Sequence, residues 1–132
     1  MEVNQNTIDT LINNFKSVGF DDYTFLTLLL TNYAVVFMPE STDKVTRKLA
    51  SYYSDLSKLD SDVTLARMAT LTLAEKAEGE EGLKGIVLLV INIACSHLKT
   101  SFDKEFLNRV INDLKRIDEK GPLSALQSML GI

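Results

Sequence analysis

The sequence predicts an all-α protein, a globular bundle of six or seven helices packed around one buried helix. Apolar residues recur at helical spacing along nearly the whole chain. One apolar run, from Ile86 to Cys95, is interrupted only by the polar Asn92, and it predicts the buried helix. Two prolines and six glycines leave no room for a long flexible linker. A chain of 132 residues suits one core, so residues 1–132 are expected to form a single domain.

Two helices are predicted before Pro39. The first has one apolar face and is followed by Gly19, which suits a left-handed C-cap. Its apolar residues are Ile8, Leu11, Ile12, Phe15 and Val18. The second runs from about Asp22 to Met38 and is stopped by Pro39. Apolar groups occupy most of its circumference, so it is either covered on several sides or has one side that waits for a partner.

The third and fourth helices are predicted between Ser41 and an acidic corner, EKAEGEEG. The third begins after the capping residues Ser41, Thr42 and Asp43. It is expected to carry Val45, Leu49, Tyr52, Tyr53, Leu56 and Leu59. The fourth is expected to begin at Ser61-Asp62 and to carry Val63, Leu65, Met68, Leu71 and Leu73.

The last three helices follow the acidic corner. The fifth, Gly82 to Leu98, is the predicted buried helix. Thr100 and Asp103 form a T-x-x-D capping box for the sixth, which Gly121 is expected to end. The apolar stripe of the sixth comprises Phe102, Phe106, Val110, Leu114 and Ile117. Pro122 suits the first turn of a short seventh helix, whose Leu123, Leu126 and Leu130 are expected to face inward.

Composition and charge argue against several classes of protein. The net charge of −4 gives no basic footprint for nucleic acid. The single cysteine, Cys95, excludes a disulfide within the chain and favours a reducing compartment. The longest apolar run, at about ten residues and about 15 Å of helix, is too short for about 30 Å of bilayer hydrocarbon. The N-terminus lacks the pattern of a signal peptide, and no membrane anchor is expected.

The chain also lacks the residue patterns of an enzyme. Cys95 and His97 are two residues apart, so on a helix they point about 200° apart and cannot form a nucleophile–base pair. One cysteine and one histidine do not build a zinc site. Glu78, Glu80 and Glu81 are typical of a solvated corner between helices. A binding module without metal or cofactor is therefore expected, rather than an enzyme.

One segment near the C-terminus resembles a known family. Ile117 to Gly131, IDEKGPLSALQSMLG, has the residue spacing of the second homology motif of the Bcl-2 apoptosis regulators, roughly I-x-E-N-G-G-W-x-x-F-x-x-L-Y-G. Ile117, Glu119, Gly121 and Gly131 match outright, while leucines, Leu123 and Leu126, stand at the motif's tryptophan and phenylalanine. In the family this corner straps the end of the ligand groove.

Further segments resemble the family in the same order along the chain. Ile8 to Phe20 resembles the fourth homology motif, and Leu30 to Phe37 has the spacing of the third, L-x-x-x-G-D-x-F. Tyr53 to Leu56 resembles a frequent F-S-D-L, Gly82 to Val87 stands where the first motif, N-W-G-R-I-V, should be, and Asp103 to Glu105 resembles the start of the family's sixth helix.

The chain departs from the family at several points. Val35 replaces the aspartate of the third motif, and Lys84 or Gly85 stands where the first motif has its arginine. The motif tryptophans and the membrane tail are missing. With these departures the chain is most similar to the short, tail-less Bcl-2 homologues of large DNA viruses.

The resemblance implies a Bcl-2-like fold and an apoptosis inhibitor of viral type. Such a protein sequesters pro-apoptotic proteins by binding their amphipathic death helix, the Bcl-2 homology 3 segment, in an apolar groove formed by helices two to five. It would act in the host cytoplasm and could be recruited to the mitochondrial surface by its partners. The implied groove residues are Tyr33, Ala34, Phe37, Leu49, Tyr52, Leu56, Leu65, Met68, Thr72, Lys84, Gly85, Val87, Leu88 and Ile91.

Alternatives to this function stay open. Each apolar groove residue could equally belong to the core, because core and groove share the same helices. A Bcl-2 fold with a filled or closed groove could serve another partner, such as an innate-immune signalling adaptor, and the missing arginine favours this. A structural or assembly role, with an accidental resemblance, is the other alternative.

Three expectations concern the predicted surface. Gly85 is expected to be a point of close packing against ligand or a facing helix. Glycine in a helix costs about 1 kcal/mol relative to alanine, and a tight contact would offset this cost. Lys84 is expected to contribute modestly to ligand binding, with Glu80 or Glu81 as competing partners. A homodimer through the groove region would cover apolar surface and compete with ligand.

Overall fold

The computed structural model describes residues 6, 10, 13, 22–101, 103–117, 121 and 123–132. The first predicted helix therefore lies largely outside the described residues, together with the family resemblance from Ile8 to Phe20. Six α-helices and one short 3₁₀ turn form the described part of the chain, which contains no β-strand. The all-α class is therefore confirmed. The helices are α1 (Asp22–Phe37), α2 (Thr42–Ala50), α3 (Leu56–Lys76), α4 (Gly79–Ser101), α5 (Lys104–Lys115) and α6 (Leu123–Leu130), with the 3₁₀ turn at Pro39–Ser41.

Among the side chains that the structure describes, those of α1 are the most completely buried, and this helix packs against α2, α3 and α4. Every residue from Thr24 to Ala34 is buried. The prediction that the helix beginning at Gly82 holds this position was wrong, because α4 exposes Gly85 and Asn92. The physical reason is charge: α1 has no charged residue from Tyr23 onward, whereas the first turns of α4 carry two glutamates and a lysine that must stay near water.

The boundary between α2 and α3 lies earlier than the sequence analysis placed it. Asp55 is the N-cap of α3, and its Oδ1 accepts hydrogen bonds from the backbone N–H groups of Ser57 at 3.0 Å and Lys58 at 3.4 Å. This cap satisfies two amides that otherwise lack partners at a helix start. It starts α3 at Leu56, so Leu56 and Leu59 belong to α3, and the predicted start at Ser61-Asp62 was wrong.

The corner after α3 and the start of α5 also differ from expectation in detail. Gly79 has a φ of +77°, a left-handed conformation that only glycine adopts readily, and it lies at the acidic corner between α3 and α4. Asp103 is itself the N-cap of α5, since its side chain accepts from the Glu105 N–H at 3.0 Å. The predicted role of Asp103 behind a Thr100 cap was therefore wrong.

The short helix α6 is held against α4 and α5 by apolar and polar contacts. Its Leu123, Leu126 and Leu130 are all buried, as predicted. Gln127 adds a polar link to α5: it accepts from Lys115 Nζ and donates from Nε2 to Asn108 Oδ1 at 2.6 Å. The expected glycine corner is present as Gly121, whose φ is +79°, but α5 already ends at Lys115.

Candidate helix-binding surface

The fourteen residues named as groove residues fall into groups of different burial. One group lies in the core: Tyr33, Ala34, Leu49, Val87 and Ile91 are buried in one apolar cluster contributed by α1, α2 and α4. Their exposed fractions are 3% or less, so any ligand would have to open the core to reach them. The structure therefore places these five residues in the core, and their contact with a ligand stays a prediction.

The remaining groove residues reach the surface. Six are half-buried: Phe37, Tyr52, Leu65, Thr72, Lys84 and Leu88. Leu56, Met68 and Gly85 are exposed, with exposed fractions of 63% for Leu56 and 55% for Met68. Most of these surface residues belong to α3 and α4.

Helix α3 carries the most exposed large apolar side chains of the described chain. Leu71, at 67% exposed, joins Leu56 and Met68 there, and only Tyr23 of α1 adds another large exposed hydrophobic residue. Leu71 was expected on the apolar face of its helix, with no functional role. The sequence pattern could have shown that Leu71 is exposed. Met68 and Leu71 lie one turn apart, and the inner face of their helix already contains Ala66, Ala69 and Leu73. A shallow, open depression lined by Asp60, Ser61, Thr64 and Leu65 lies on the same helix.

Two groove residues, Leu49 and Tyr52, instead line a small cavity between α1, α2 and α5. The Phe106 ring lies beside it, with edge-on contacts to Tyr52 at 5.9 Å and to Tyr23 at 6.0 Å between ring centroids. The Arg109 guanidinium carbon lies 5.3 Å from the centre of the same ring. The cavity volume is about 10 Å³, enough for about one water molecule and no larger ligand. Its full lining is Tyr23, Leu26, Thr27, Leu49, Tyr52, Tyr53, Phe106 and Val110.

A polar contact closes this side of the bundle. The Tyr52 hydroxyl donates to Asp113 Oδ2, and Lys48 Nζ lies 3.9 Å from the same carboxylate oxygen. Burial, together with the hydrogen bond to Asp113, raises the pKa of Tyr52 to about 12. The hydrogen bond from Tyr52, helped by the charge of Lys48, lowers the pKa of the Asp113 carboxyl below its usual value. The contact joins the end of α2 to α5 and is structural in kind.

The neighbouring tyrosine ties the α2–α3 connection to two helices. The Tyr53 hydroxyl lies 3.1 Å from the carbonyl oxygen of Tyr23 and 3.1 Å from Oδ2 of the buried Asp62. It joins the connection to the start of α1 and to the first half of α3. The segment from Tyr53 to Leu56, which resembles the family's F-S-D-L, therefore serves as an anchor followed by a helix cap.

The start of α4 holds the two residues that stand nearest to the family's missing arginine. Lys84 Nζ lies 3.6 Å from Glu80 Oε1, one helical turn away; the Lys84 side chain is half-buried and the Glu80 side chain is exposed. A β-carbon built on Gly85 would meet nothing within 4 Å. The expectation that a facing helix packs closely on Gly85 was therefore wrong, and contact of Gly85 with a ligand stays a prediction.

Two buried polar residues of α1 escaped the sequence analysis. Thr31 and Asn32 are almost fully buried. Among the described residues, Thr31 Oγ1 and both amide atoms of Asn32 have no hydrogen-bond partner. Leaving a buried polar group unpaired costs about 1–3 kcal/mol. The available signal was a Thr-Asn pair within a helix that is otherwise apolar at most positions.

Within the described ranges, no three histidine, cysteine, aspartate or glutamate side chains lie close enough to hold a metal ion. No helix within the same described ranges is both long and apolar enough to cross a membrane. Cys95 is buried and forms no disulfide bond. Comparisons with known protein families, with curated proteins and with solved structures gave no match.

Proposed function

We propose that this protein is a pro-survival regulator of the viral Bcl-2 type, which sequesters the amphipathic death helix of pro-apoptotic proteins. The observation that supports this most is the segment from Ile117 to Gly131. It has the residue spacing of the family's second homology motif, it contains a left-handed Gly121, and its three leucines dock α6 onto the bundle as a strap. The order of the other resembling segments along the chain agrees with the same proposal.

The exposed and half-buried groove residues are the proposed contact surface. Met68 and Leu65 of α3 and Leu88 of α4 offer apolar groups to a helix stripe, and the open space above Gly85 leaves room for a ligand backbone. The groove residues Tyr33, Ala34, Leu49 and Val87 lie in the core, so a ligand would reach them only if the core opened. Affinity would come from apolar anchors, because Lys84 already has Glu80 as a partner in solvent.

A specific observation also favours a second candidate function. Five of the named groove residues are core residues, and the cavity beside Leu49 and Tyr52 has room for about one water molecule. A closed groove of this kind suits a Bcl-2-type protein that acts on another host partner, such as an innate-immune signalling adaptor, without binding a death helix.

Calorimetric titration with a panel of pro-apoptotic death-helix peptides separates the two functions. We expect submicromolar binding of at least one peptide and a loss of affinity in the Gly85→Leu variant, because the new side chain fills the open space above α4. Ala125→Leu, which places the same side chain on the exposed face of α6, is the matched control and should bind normally. Absence of binding to every peptide would reject the first function and leave the second.

The role of Lys84 is measured by a double-mutant cycle. Lys84→Ala is combined with replacement of the peptide's aspartate by alanine, and the coupling free energy is taken from the four affinities. We expect about 0–1 kcal/mol, since the lysine lies at the surface and is already paired with the exposed Glu80. A coupling above about 2 kcal/mol would mean that Lys84 replaces the family's arginine as a sheltered charge partner.

A further inference from the structure

We propose that the outward side of α3 is a self-association surface, through which two copies of the chain pair as antiparallel helices. We call this surface the α3 outer face. It comprises Arg67, Met68, Leu71, Ala74 and Glu75, all of which are exposed. The inference goes beyond the proposed function and does not depend on it.

The apolar centre of the α3 outer face suits helix packing. Leu71 and Met68 expose 67% and 55% of their surface, and because they lie one turn apart they form a small contiguous apolar patch. With Ala74 they lie at positions i, i+3 and i+6 of one helix, on the same side. Ala74 is small enough to let another helix approach closely, so a second helix laid along this side would remove Leu71 and Met68 from water.

The charges of the α3 outer face are arranged symmetrically. Arg67 lies four residues before Leu71, and Glu75 lies four residues after it. At 1.5 Å per residue, each charge is about 6 Å from Leu71 along the helix axis, and the two lie about 80° apart around it. A two-fold axis beside Leu71 therefore places Arg67 opposite the partner's Glu75, and Glu75 opposite the partner's Arg67.

The same pattern selects the antiparallel arrangement and a second copy of this chain. A parallel pair would place arginine against arginine and glutamate against glutamate, which costs energy instead of gaining it. An unrelated helix would need to reproduce this spacing of charges, whereas a second copy has it by symmetry. The complementarity of the α3 outer face with itself is thus the specific argument for self-association.

Neither charge is already satisfied within its own helix. The positions three and four residues from Arg67 are Val63, Thr64, Thr70 and Leu71, and those from Glu75 are Leu71, Thr72, Glu78 and Gly79. No cation or carboxylate of opposite sign stands at any of these positions. Across the part of the chain that the structure describes, neither Arg67 nor Glu75 forms an ion pair. Both are available to a partner.

The size of the surface sets the expected strength of the dimer. One helix side buries less than the about 800 Å² per partner of a standard stable interface, so the dimer should be weak and concentration-dependent. Salt should weaken it further, because the ion pairs are exposed. Met68 also belongs to the proposed ligand surface, so dimer and helix ligand would compete for it.

Sedimentation velocity of the full chain from low to high micromolar concentration tests the proposal. We expect the wild type to shift from monomer to dimer over this range. Arg67→Glu and Glu75→Arg should each raise the dimer dissociation constant about tenfold or more, since each change turns two attractive contacts into two repulsive ones. Arg47→Glu, with the same charge change on the exposed side of α2, is the matched control and should associate like the wild type.

Mixing the two variants is the decisive measurement. In an equimolar mixture of Arg67→Glu and Glu75→Arg, every cross-contact again joins an arginine to a glutamate, so the mixture should form heterodimers as the wild type forms homodimers. Far-UV circular dichroism establishes that each variant keeps its fold. The proposal is overturned if the wild type sediments as a monomer throughout, if the folded variants do not recombine, or if Arg47→Glu weakens association equally.

Discussion

Helices α1 and α3 contact each other extensively yet treat their side chains in opposite ways. Helix α1 buries Thr31 and Asn32 without hydrogen-bond partners among the described residues. Helix α3 leaves Met68 and Leu71 largely in water, while its own buried Thr70 donates from Oγ1 to the Ala66 carbonyl at 3.0 Å. The central helix thus carries the free-energy cost of unpaired polar groups, and no contact seen in the structure offsets it. The outer helix keeps exposed apolar surface that a partner could cover. Burial in this protein follows the position of the helix more closely than the polarity of each residue.

The largest expected effect separates core leucines from outer leucines. Leu30→Ala in α1 should lower the free energy of unfolding by about 2–5 kcal/mol, because it leaves a cavity in a packed core. Leu71→Ala in α3 should change it by no more than about 0.5 kcal/mol, because the side chain is exposed. Urea denaturation followed by circular dichroism at low protein concentration measures both. Equal losses in the two variants would erase the contrast between the helices.

An intermediate effect is expected for a polar contact elsewhere on the surface, which should contribute more to the free energy of unfolding than the exposed Leu71 side chain does. Tyr52→Phe removes the hydrogen bond to Asp113 that joins α2 to α5, and we expect a loss of about 1 kcal/mol at neutral pH. A Tyr52→Phe protein as stable as the wild type would mean that this contact holds nothing together.

The same contact predicts a dependence on pH. The pKa of Tyr52 is raised in the folded protein from 10.0 to about 12. The contribution of Tyr52 to the free energy of unfolding is therefore fully present below pH 10 and is lost as the pH rises through about 12. Asp113 has a lowered pKa, so its stabilisation is present above the unfolded value of 3.8 and is lost as the pH falls through the lower folded value. The difference in unfolding free energy between wild type and Tyr52→Phe should therefore be flat between these limits and shrink beyond either one. A difference that stays constant across the whole range would contradict the coupling.

The smallest expected effect compares the two buried threonines directly. Thr31→Val replaces an unpaired hydroxyl by a methyl group of the same shape, so it should stabilise the protein by about 1 kcal/mol. Thr70→Val removes a hydroxyl that has a partner in Ala66, so it should be neutral or slightly destabilising. Thermal and urea unfolding of both variants give the two signs. The same sign for both would show that the unpaired hydroxyl of Thr31 carries no cost in the folded protein.

Local signals in the sequence predicted much of the architecture. Pro39 marks the end of α1 as expected, since proline disfavours a helical residue before it. The spacing of Leu123, Leu126 and Leu130 predicted a docked last helix, and the glycine at position 121 does adopt the left-handed conformation. Helix caps were predicted less well. Asp55 proved to be the cap where Ser61-Asp62 had been expected, and Asp103 where Thr100 had been expected, because serine, threonine and aspartate all suit the N-cap position.

The candidate site could be predicted only in part. Periodicity identified the helix that carries Leu65 and Met68, and their side chains, like that of Leu56, do reach the surface. The family resemblance assigned Tyr33, Leu49 and Val87 to a groove, although they are buried in the core. An apolar residue has the same hydrophobicity whether it meets a neighbouring helix or a ligand, so its pattern in the sequence cannot separate the two.

The sequence by itself determined that the chain is all-α, where most of its helices lie and that its last helix folds back as a strap, because these features depend on residues within a few positions of one another. The tertiary structure alone decided that α1 occupies the centre, that Thr31 and Asn32 are enclosed there, and that Leu71 stays in water between Arg67 and Glu75. Those outcomes depend on which helix packs beside which. That choice is made by the total apolar surface that all the helices can remove from water together, a quantity that no single segment contains.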